Sequence, residues 1–424
     1  MTDFSSLGLS EPLLTAVEEA GYKKPTPVQA KAIPMVLTGR DIMASAQTGT
    51  GKTAGFTLPL LHRLSEMRAS QDIRALVLVP TRELALQVGE SFATYGKHLP
   101  LNAVTVFGGV DMAPQIEALE AGADILIATP GRLLDLISKE HVSLGKLRIL
   151  VLDEADRMLD LGFKDDIDRI LQGVPAKRQS LLFSATFSPE IKQLASEFQR
   201  HPVKVEVSSQ NSAAKTVQQS VYPVDHHDKP EILSYIIHGG RWNKALVFVR
   251  TKKSANKVAE LLVQDGIQAR AIHSDKSQHL RTRTLDDFKR NRFQVLVATD
   301  VAARGLDIEQ LPLVVNYDLP KVAQDYVHRI GRSGRAGTAG CAITLMSPEE
   351  RKLMDGIRQL VKQSLKVEPV PYFENGEVRP VESYEQPQKE KPKPSRKGKN
   401  HRGKSSTRKS PAGKHKNKRT KTRS

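Results

Sequence analysis

Cysteine is nearly absent from the sequence, which has a single one, Cys341, in 424 residues. One thiol cannot form an internal disulfide or a cysteine-based metal site, and its isolation favours a reducing compartment such as the cytoplasm. No run of about 18 apolar residues is present, so the sequence predicts no membrane-spanning helix. The first residues lack a basic region followed by an apolar one and predict no secretory signal. We therefore expect a cytoplasmic protein.

Aromatic residues are missing from the C-terminal segment 389–424, and acids nearly so. These 36 residues contain sixteen Lys and Arg and one acid, Glu390, which is a net charge of +15 and leaves +2 (17 − 15) for the rest of the chain. Such a segment cannot bury enough apolar surface to fold. We expect it to bind polyanions electrostatically, without base stacking or sequence preference. An acidic protein is the alternative partner.

A phosphate-binding loop is indicated by the stretch Ala46–Thr53, which reads AQTGTGKT. The apolar residues 41–46 predict a buried parallel strand, and the residues after the loop predict a helix. Strand, glycine-rich loop and helix form the context that such a loop requires. Ala46 replaces the first glycine of the G-x-x-x-x-G-K-[ST] pattern. The alternative is a chance turn rich in glycine and threonine.

The chemistry of this loop follows from its residue types. Gly49 and Gly51 allow backbone N–H groups to turn toward phosphates, and the following helix N-terminus adds a partial positive charge. Lys52 is expected to contact the outer phosphates, and Thr53 to offer its hydroxyl to Mg²⁺.

A second acidic motif follows 101 positions after Lys52 (153 − 52), in the stretch 148–156. An apolar strand there ends in carboxylates, as expected where a central strand delivers acids to the carboxyl-end side of a sheet. Asp153 can hold Mg²⁺, and Glu154 can orient or deprotonate a water that attacks the γ-phosphate. Acids at the start of a solvated helix are the alternative. Together with the upstream loop, the motif predicts hydrolysis of a nucleoside triphosphate.

Three further strands of the first unit are predicted to end in loops that carry Thr, Gly or Arg. Singly, each loop is typical of an ordinary turn between strand and helix. On the same side of one parallel sheet, they predict a tract of phosphate contacts. The loops contain Thr81 and Arg82, Gly109, and Thr129 to Arg132.

The alternation of strands and helices stops near residue 207 and restarts after a small, polar stretch typical of a linker. We predict an α/β fold with two tandem parallel-sheet domains. The boundaries are 1–207 for the ATPase domain, 208–216 for a flexible linker, 217–367 for the second domain and 368–424 for a disordered basic tail.

The second domain has no phosphate loop, but it has two arginines three positions apart, Arg332 and Arg335, in a glycine-containing stretch. Such a pair can contact one anion, or it can belong to a basic surface turn. Because the first domain lacks such arginines, we favour arginine fingers supplied across the linker to the same triphosphate.

With these motifs assembled, the sequence resembles the DEAD-box family of ATP-dependent RNA helicases, whose name corresponds to Asp153-Glu-Ala-Asp156. The match covers roughly residues 4–347, and the compact core followed by a basic tail is most similar to the bacterial RhlE-like subgroup. The resemblance implies two RecA-like domains, ATP and Mg²⁺ as cofactors, and an RNA-stimulated ATPase that separates strands locally, without processive movement. It also implies that the partner is structured RNA, bound with little sequence specificity. The protein is expected to be a monomer and to act in a process such as ribosome assembly or RNA turnover.

The resemblance also assigns roles to individual residues. Those for ATP are Phe4 on the adenine, Lys24 and Gln29 in base selection (Gln29 has both an amide donor and an acceptor), Thr48, Gly49, Thr50, Gly51, Lys52 and Thr53 at the phosphates, Asp307 at the ribose, Gly305 as a further nucleotide-binding residue, and Arg332 and Arg335 at the γ-phosphate. Those that couple hydrolysis to RNA are Asp156, Ser184, Thr186 and His328. Those for RNA are Thr81, Arg82, Gly109, Thr129, Gly131 and Arg132 in the first domain, and Arg250, Gln278, Arg281, Thr299 and Asp300 in the second.

Three positions depart from the family pattern: Arg250 stands where Asn or Thr is usual, Ser274 where Gly is common, and Ser333 where Thr is usual. None removes a charge from the expected active site. Two alternatives remain, an ATP-gated RNA clamp with little turnover and a DNA-directed helicase of the same superfamily. The presence of Glu154 and the two arginines argues against the clamp.

Overall fold

The structure is a computed structural model that describes residues 3–46, 50–206, 217–303, 308, 311–334, 340–361, 365–374 and 377–379. It contains two parallel sheets flanked by helices, so the predicted α/β class with two tandem domains is confirmed. The predicted linker 208–216 and the basic segment 389–424 lie outside the described residues. None of the helices in the described ranges is long and apolar enough to span a bilayer.

The first domain is built on a seven-stranded sheet in which all neighbouring strands are parallel. Its central strands are apolar and buried on both faces, as expected for a parallel sheet covered by helices. The order across the sheet is β3-β4-β2-β5-β6-β1-β7. The strands are β1 (Ile42–Ser45), β2 (Ala75–Leu78), β3 (Ala103–Val106), β4 (Ile125–Ala128), β5 (Ile149–Leu152), β6 (Gln179–Ser184) and β7 (Val203–Glu206).

Nine α-helices of the described residues belong to this domain, preceded by a short 3-10 helix at Ser5–Leu7. Side-chain oxygens cap several of their N-termini: Thr26, Thr81 and Ser188 each accept a backbone N–H three residues later. The helices are α1 (Glu11–Glu19), α2 (Pro27–Leu37), α3 (Lys52–Glu66), α4 (Arg82–Gly96), α5 (Ala113–Glu120), α6 (Pro130–Ser138), α7 (Ala155–Asp160), α8 (Lys164–Gln172) and α9 (Pro189–Phe198).

The second domain has a six-stranded parallel sheet in the order β10-β11-β9-β12-β13-β8. Its strands are β8 (Val217–Pro223), β9 (Ala245–Val249), β10 (Ala269–Ile272), β11 (Val295–Thr299), β12 (Leu313–Asn316) and β13 (Gly340–Met346). Its helices are α10 (Lys229–Gly239), α11 (Lys252–Gln264), α12 (Gln278–Lys289), α13 (Asp300–Ala303), α14 (Ala323–Ile330) and α15 (Arg351–Val361), with a 3-10 helix at Pro348–Glu350.

The strand order of the first sheet divides its carboxyl-end side into two halves. The phosphate loop, the DEAD motif and the Ser184 loop follow β1, β5 and β6, which are neighbours. The three loops predicted to contact RNA phosphates follow β2, β3 and β4, which are neighbours at the other end. The fold therefore places the predicted nucleotide site and the predicted RNA site next to each other at the carboxyl ends of the strands.

The second domain extends past the boundary predicted at residue 367. Val367 forms a bridge with Val221 of β8, and the backbone N–H of Glu368 donates to the Val221 carbonyl at 3.1 Å. A short antiparallel pair follows, β14 (Tyr372–Glu374) and β15 (Glu377–Arg379). The predicted boundary is therefore too early. Apolar periodicity is lost from about Glu368, which predicts a boundary there, but backbone pairing along a sheet edge needs no such periodicity.

Candidate active site and RNA interface

The phosphate loop meets α3 at a backbone turn that only glycine adopts easily. Gly51 precedes the helix with φ +86° and ψ 24°, in the left-handed region. Lys52, the first helical residue, is only 6% exposed, and its Nζ has no hydrogen-bond partner within the described part of the chain. A buried ammonium without a partner is costly unless an anion satisfies it. The loop is therefore suited to a phosphate group.

Gln29 connects the N-terminal segment to the phosphate loop. Its Nε2 donates to the Gly51 carbonyl at 3.1 Å, and its Oε1 accepts the Thr26 backbone N–H at 2.9 Å. The side chain is 3% exposed. The residue predicted to select the base is thus oriented by the loop that is predicted to hold the phosphates. Sequence reasoning missed this contact because the two residues are 22 positions apart.

The remaining residues predicted near the nucleotide are divided between described and undescribed parts of the chain. Phe4 is 7% exposed and packs in the apolar core of the first domain, so little of its ring is available to an adenine. Lys24 is exposed just before α2, and Thr50 and Thr53 flank Gly51 and Lys52 with partial exposure. Thr48, Gly49, Gly305, Asp307 and Arg335 lie outside the described residues.

The acidic motif follows β5, as predicted. Asp153 is 2% exposed, and burial raises its pKa to about 7, with Lys52 opposing and Glu154 adding to the increase. Burial also raises the pKa of Glu154, while the nearby Lys52 opposes this. Glu154 has φ 51° and ψ 50°, a left-handed conformation that is strained for a residue with a side chain. This turn places two carboxyl groups beside the buried lysine.

The four predicted coupling residues converge on one region. The Asp156 carboxylate accepts the backbone N–H of Ala185 at 3.1 Å, within the loop that contains Ser184 and Thr186. The Ser184 Oγ accepts the Thr186 backbone N–H at 3.4 Å. Burial lowers the pKa of His328, and the charge of Asp156 opposes this. The acidic motif is thereby joined to the β6 loop and adjacent to the second domain.

A cavity between the two domains brings the catalytic candidates together. Lys52 and Glu154 come from the first domain, and Arg332 comes from the second. Arg332 is 6% exposed, and its positive charge acts against the elevated pKa of Glu154. Cations from both domains therefore line a space that three carboxylate residues also line. The lining residues are Lys52, Glu154, Asp156, Arg157, Asp160, Ala185, His328 and Arg332.

The RNA candidates of the first domain form a basic surface on the β2–β4 half of the sheet. Gly109 has φ +76° and lies against the Arg82 guanidinium, so that a side chain there would overlap it. Arg132 is 7% exposed and donates from Nη2 to the Val110 carbonyl at 2.8 Å, while its Nε and Nη1 have no hydrogen-bond partner in the described ranges. Thr81 caps α4, Thr129 precedes α6, and the space around Gly131 is open.

Three guanidinium groups are close enough to perturb one another on this surface. Burial lowers the pKa of Arg82, and the charges of Arg281 and Arg132 lower it further. Arg281 belongs to the second domain. Convergent cations with unpaired nitrogens create a positive potential that attracts a phosphate backbone.

Glu83 joins the two domains at this surface. Its Oε1 accepts from Gln278 Nε2 at 3.0 Å and from Arg281 Nη2 at 2.8 Å, and the carboxylate and guanidinium side chains are 8% and 9% exposed. Two of the predicted RNA-binding residues therefore have a protein partner. Each also keeps an unpaired buried atom, Oε1 of Gln278 and Nε of Arg281. The sequence pattern gave no signal for Glu83.

The other second-domain candidates are held by partners distant in sequence. Arg250 donates from Nη2 to Glu350 Oε1 at 2.7 Å. Asp300 accepts two hydrogen bonds from Arg329, at 2.6 Å from Nε and 2.7 Å from Nη2. Thr299 ends β11 and is 7% exposed. Arg329 and Glu350 were not predicted, because they are 29 and 100 positions from their partners.

Two family models match the chain. The DEAD/DEAH box helicase model matches residues 26–194, and the helicase conserved C-terminal domain model matches residues 228–337. The chain is 41% identical over 375 residues to the DEAD-box ATP-dependent RNA helicase RhpA of Helicobacter pylori, covering 88% of this chain and 76% of RhpA. It is 43% identical over 366 residues to the ATP-dependent RNA helicase DeaD of Escherichia coli K12, covering 86% of this chain and 58% of DeaD.

The structural comparison agrees with these matches. The structure of S. cerevisiae Dbp5 bound to RNA and ADP BeF3 superposes with a TM-score of 0.78 at 31% identity, covering 87% of this chain and 96% of that one. The chain therefore belongs to the DEAD-box family of ATP-dependent RNA helicases, with two RecA-like domains and an RNA-stimulated ATPase activity. The predicted family, enzyme class and nucleotide are confirmed. The RhlE-like subgroup stays a prediction.

Proposed function

We propose that this helicase couples ATP hydrolysis to local, non-processive separation of structured RNA when its two domains close on one ATP. The observation that carries the proposal is the cavity lined by Lys52 and Glu154 from one domain and Arg332 from the other. A site divided in this way is complete only when the domains meet, so hydrolysis depends on closure.

Lys52, Glu154 and Arg332, the three side chains on which the proposal rests, each have a role that their chemistry supports. The unpaired ammonium of Lys52 binds phosphate oxygens, and Glu154 orients the attacking water or accepts its proton. Arg332, together with Arg335, balances the charge that develops on the γ-phosphate, an effect worth about 10³–10⁵ in rate. Lys24 and Gln29 contact the adenine side, where only the small exposed part of the Phe4 ring can reach, while Gly305 contributes to the nucleotide site and Asp307 contacts the ribose.

Mg²⁺ fits the donor set at the phosphate loop. The Asp153 carboxylate is buried and carries a raised pKa, so its ionised form requires a nearby cation. Carboxylate and hydroxyl oxygens are donors that Mg²⁺ accepts, and we assign Asp153 and Thr53 as the residues that hold it. When bound, the ion neutralises charge on the phosphates.

RNA is proposed to lie along the two basic surfaces, on the β2–β4 loops of the first domain and the β9–β11 loops of the second. The first-domain contacts come from backbone, hydroxyl and guanidinium groups, which recognise phosphates and 2′-hydroxyls rather than bases. Arg250, Gln278, Arg281, Thr299 and Asp300 continue this surface. The arrangement supports a preference for RNA over DNA and little sequence specificity.

Coupling between the two sites is assigned to the residues around Asp156. The Asp156 contact to the Ser184–Thr186 loop and the proximity of His328 connect the acidic motif to the second domain. We further propose that the protein is a cytoplasmic monomer that acts in ribosome assembly or RNA turnover. The backbone, hydroxyl and guanidinium groups among the proposed RNA contacts suit phosphates and sugars, which supports a broad range of structured substrates.

The test combines ATP hydrolysis with strand separation on matched RNA and DNA duplexes that carry a single-stranded extension. RNA should stimulate hydrolysis by the wild-type chain, and only the RNA duplex should be separated. Arg332→Gln should still bind ATP but lose RNA-stimulated hydrolysis. Tight RNA binding with ATP but negligible turnover would indicate a clamp, and equal separation of the DNA duplex would indicate the DNA-directed alternative.

A further inference from the structure

A buried carboxylate, Glu350, ties together the loops at the carboxyl ends of β9, β12 and β13. Its Oε1 accepts from Arg250 Nη2 at 2.7 Å and from the Leu319 backbone N–H at 2.9 Å. Its Oε2 accepts from Lys229 Nζ at 2.7 Å and from the Ser347 backbone N–H at 3.1 Å. Glu350 is 4% exposed. Both carboxylate oxygens are therefore fully used.

Lys229 supplies the charge that keeps this carboxylate ionised. It is completely buried, and its ammonium also donates to the Tyr317 carbonyl at 2.7 Å. Burial on its own would raise the pKa of Glu350, but the hydrogen bond and charge of Lys229 together with the backbone donors hold that pKa below its usual value. A second carboxylate, Asp318, lies 4.0 Å from the Lys229 ammonium and accepts the Arg250 backbone N–H at 2.7 Å. The Arg250 loop is thus fixed at both its backbone and its side chain.

Arg250 differs from the other members of this cluster in its exposure. Its side chain is 40% exposed, whereas that of Glu350 is 6% exposed. The guanidinium is therefore held at one nitrogen by a buried anion and presents the rest of the planar group to solvent. It does so at the N-terminus of α11, beside Lys252 and Lys253. An arginine fixed in this way is pre-organised to bind a phosphate through its remaining donors.

We propose that Glu350 is a positioning residue for RNA binding, which holds the Arg250 guanidinium in the orientation that contacts the RNA backbone. The inference rests on the proposed RNA contact of Arg250. Glu350 itself touches no RNA, because it is buried beneath Arg250. Its effect is to remove the entropy cost of ordering Arg250 when RNA binds, which is worth roughly twofold to tenfold in affinity for one long side chain.

The experiment measures RNA-stimulated ATP hydrolysis by the full chain as a function of RNA concentration, and separates the RNA concentration for half-maximal stimulation from kcat. Glu350→Gln, which is nearly isosteric, should raise the half-maximal RNA concentration roughly twofold to tenfold and leave kcat within about twofold. Arg250→Gln should raise it at least as much. The control is Glu349→Gln, which makes the same substitution at the adjacent, exposed glutamate. Its half-maximal RNA concentration and kcat should match those of the wild type.

The double variant R250Q/E350Q decides whether Glu350 acts through Arg250. If it does, the double variant should bind RNA no more weakly than Arg250→Gln alone. Multiplied effects would overturn the proposal, as would an unchanged half-maximal RNA concentration in a folded Glu350→Gln. If Arg250→Gln itself has no effect, the RNA role of Arg250 fails, and that outcome is distinct from a failure of Glu350 alone.

A second variant covers loss of folding, since Glu350→Gln leaves Lys229 without the carboxylate charge that Glu350 provides. Glu350→Asp keeps the charge for Lys229 but shortens the reach to Arg250 by one methylene. Circular dichroism and the unfolding midpoint report whether each variant is folded. A folded Glu350→Asp is expected to raise the half-maximal RNA concentration without loss of kcat, and wild-type RNA binding by this variant would contradict the proposal.

Discussion

Two candidate active-site residues, Gly51 and Glu154, have left-handed backbone conformations, and the energetic cost of this conformation differs between them. Gly51 adopts φ +86° without steric cost, whereas Glu154 at φ 51° has a side chain that makes the conformation unfavourable by about 1–2 kcal/mol. The surrounding contacts must hold Glu154 in place, including the hydrogen bond from its backbone N–H to Asp153 at 2.9 Å. In this conformation Glu154 lines the same cavity as Lys52, where we propose that it orients a water.

We predict that Gly51→Ala lowers RNA-stimulated ATP hydrolysis by roughly tenfold or more, because alanine is strained at this φ by about 1–2 kcal/mol and its methyl group would overlap the Gln29 amide. Gly55→Ala, in the same helix, is the matched control. Its added carbon would lie 3.9 Å from Ala32 and 4.0 Å from Phe183, which are ordinary contacts. Steady-state kinetics on both variants gives the comparison, and equal activities would contradict the assignment of Gly51.

The pH dependence of stability should report on Asp325, which is buried in the second domain. Burial, and then the charge of Asp300, raises its pKa to about 6 from an ordinary value of 3.8. The folded protein therefore holds this proton more tightly than the unfolded chain does. The stability that this provides is present below about pH 4 and is lost as the pH rises through about 6.

Asparagine cannot ionise, so Asp325→Asn should gain stability relative to the wild type between pH 4 and pH 7, by about 3 kcal/mol at most. The measurement is the difference in thermal unfolding midpoint between the two proteins across this range. A difference that stays constant with pH, or one that changes in the opposite direction, would show that the Asp325 carboxyl is not held protonated in this way.

Sequence reasoning located residues whose chemistry is encoded in local spacing. Lys52 and Asp153 follow glycine-rich and apolar patterns that a few neighbouring residues define. Glu83, Arg329 and Glu350 were missed, because each acts through a partner that only the folded chain brings near. Their local surroundings are those of ordinary helices. The roles of the nucleotide and RNA residues remain predictions.

At the scale of elements, the strands were predictable and their order was not. The apolar strand predicted within residues 148–156 is observed at 149–152, because buried parallel strands are short apolar runs. β7 and β8 were not predicted, since both lie near the domain boundary and polar residues interrupt their apolar sequence. The sheet order decides which loops are neighbours, and it depends on crossover connections that no local pattern specifies.

Helices α4 and α12 contact each other across the domains through Glu83, and this contact should stabilise the closed arrangement. Glu83→Gln removes the charge that Arg281 faces in a buried setting, so RNA-stimulated hydrolysis should fall roughly tenfold or more while ATP binding is retained. The measurement is kcat with saturating RNA, alongside equilibrium ATP binding. Glu90→Gln, an exposed position on α4, is the matched control and should behave as the wild type.

A double-mutant cycle with Arg281→Gln separates the interdomain pair from independent effects. If the two side chains act together, the double variant should lose little more than Glu83→Gln alone. Effects that multiply in full would indicate that Arg281 serves RNA and Glu83 serves folding, without a shared contact.

At the scale of the whole molecule, charge is divided between a nearly neutral core and a polycationic end. Residues 389–424 carry +15 and the remainder about +2 (17 − 15). Catalysis and its coupling to RNA are assigned to side chains of the two domains, none of which lies in residues 389–424. The basic segment can therefore change how much RNA is bound without changing the chemistry that follows binding.

Removal of residues 389–424 should raise the RNA concentration for half-maximal ATPase stimulation and leave kcat within about twofold. It should also flatten the dependence of log affinity on log salt concentration, because each cation on a phosphate of single-stranded RNA contributes about 0.7 to the slope. The truncation ends after residue 388 rather than 367, so that the hydrogen bond from the Glu368 backbone N–H to the Val221 carbonyl and the β14–β15 pair are kept. A full-length chain with these lysines and arginines changed to glutamine controls for length and should match the truncated protein. If both modified proteins lost stimulation at every RNA concentration, the basic segment would be part of the active RNA site, and the two domains alone would not account for coupling.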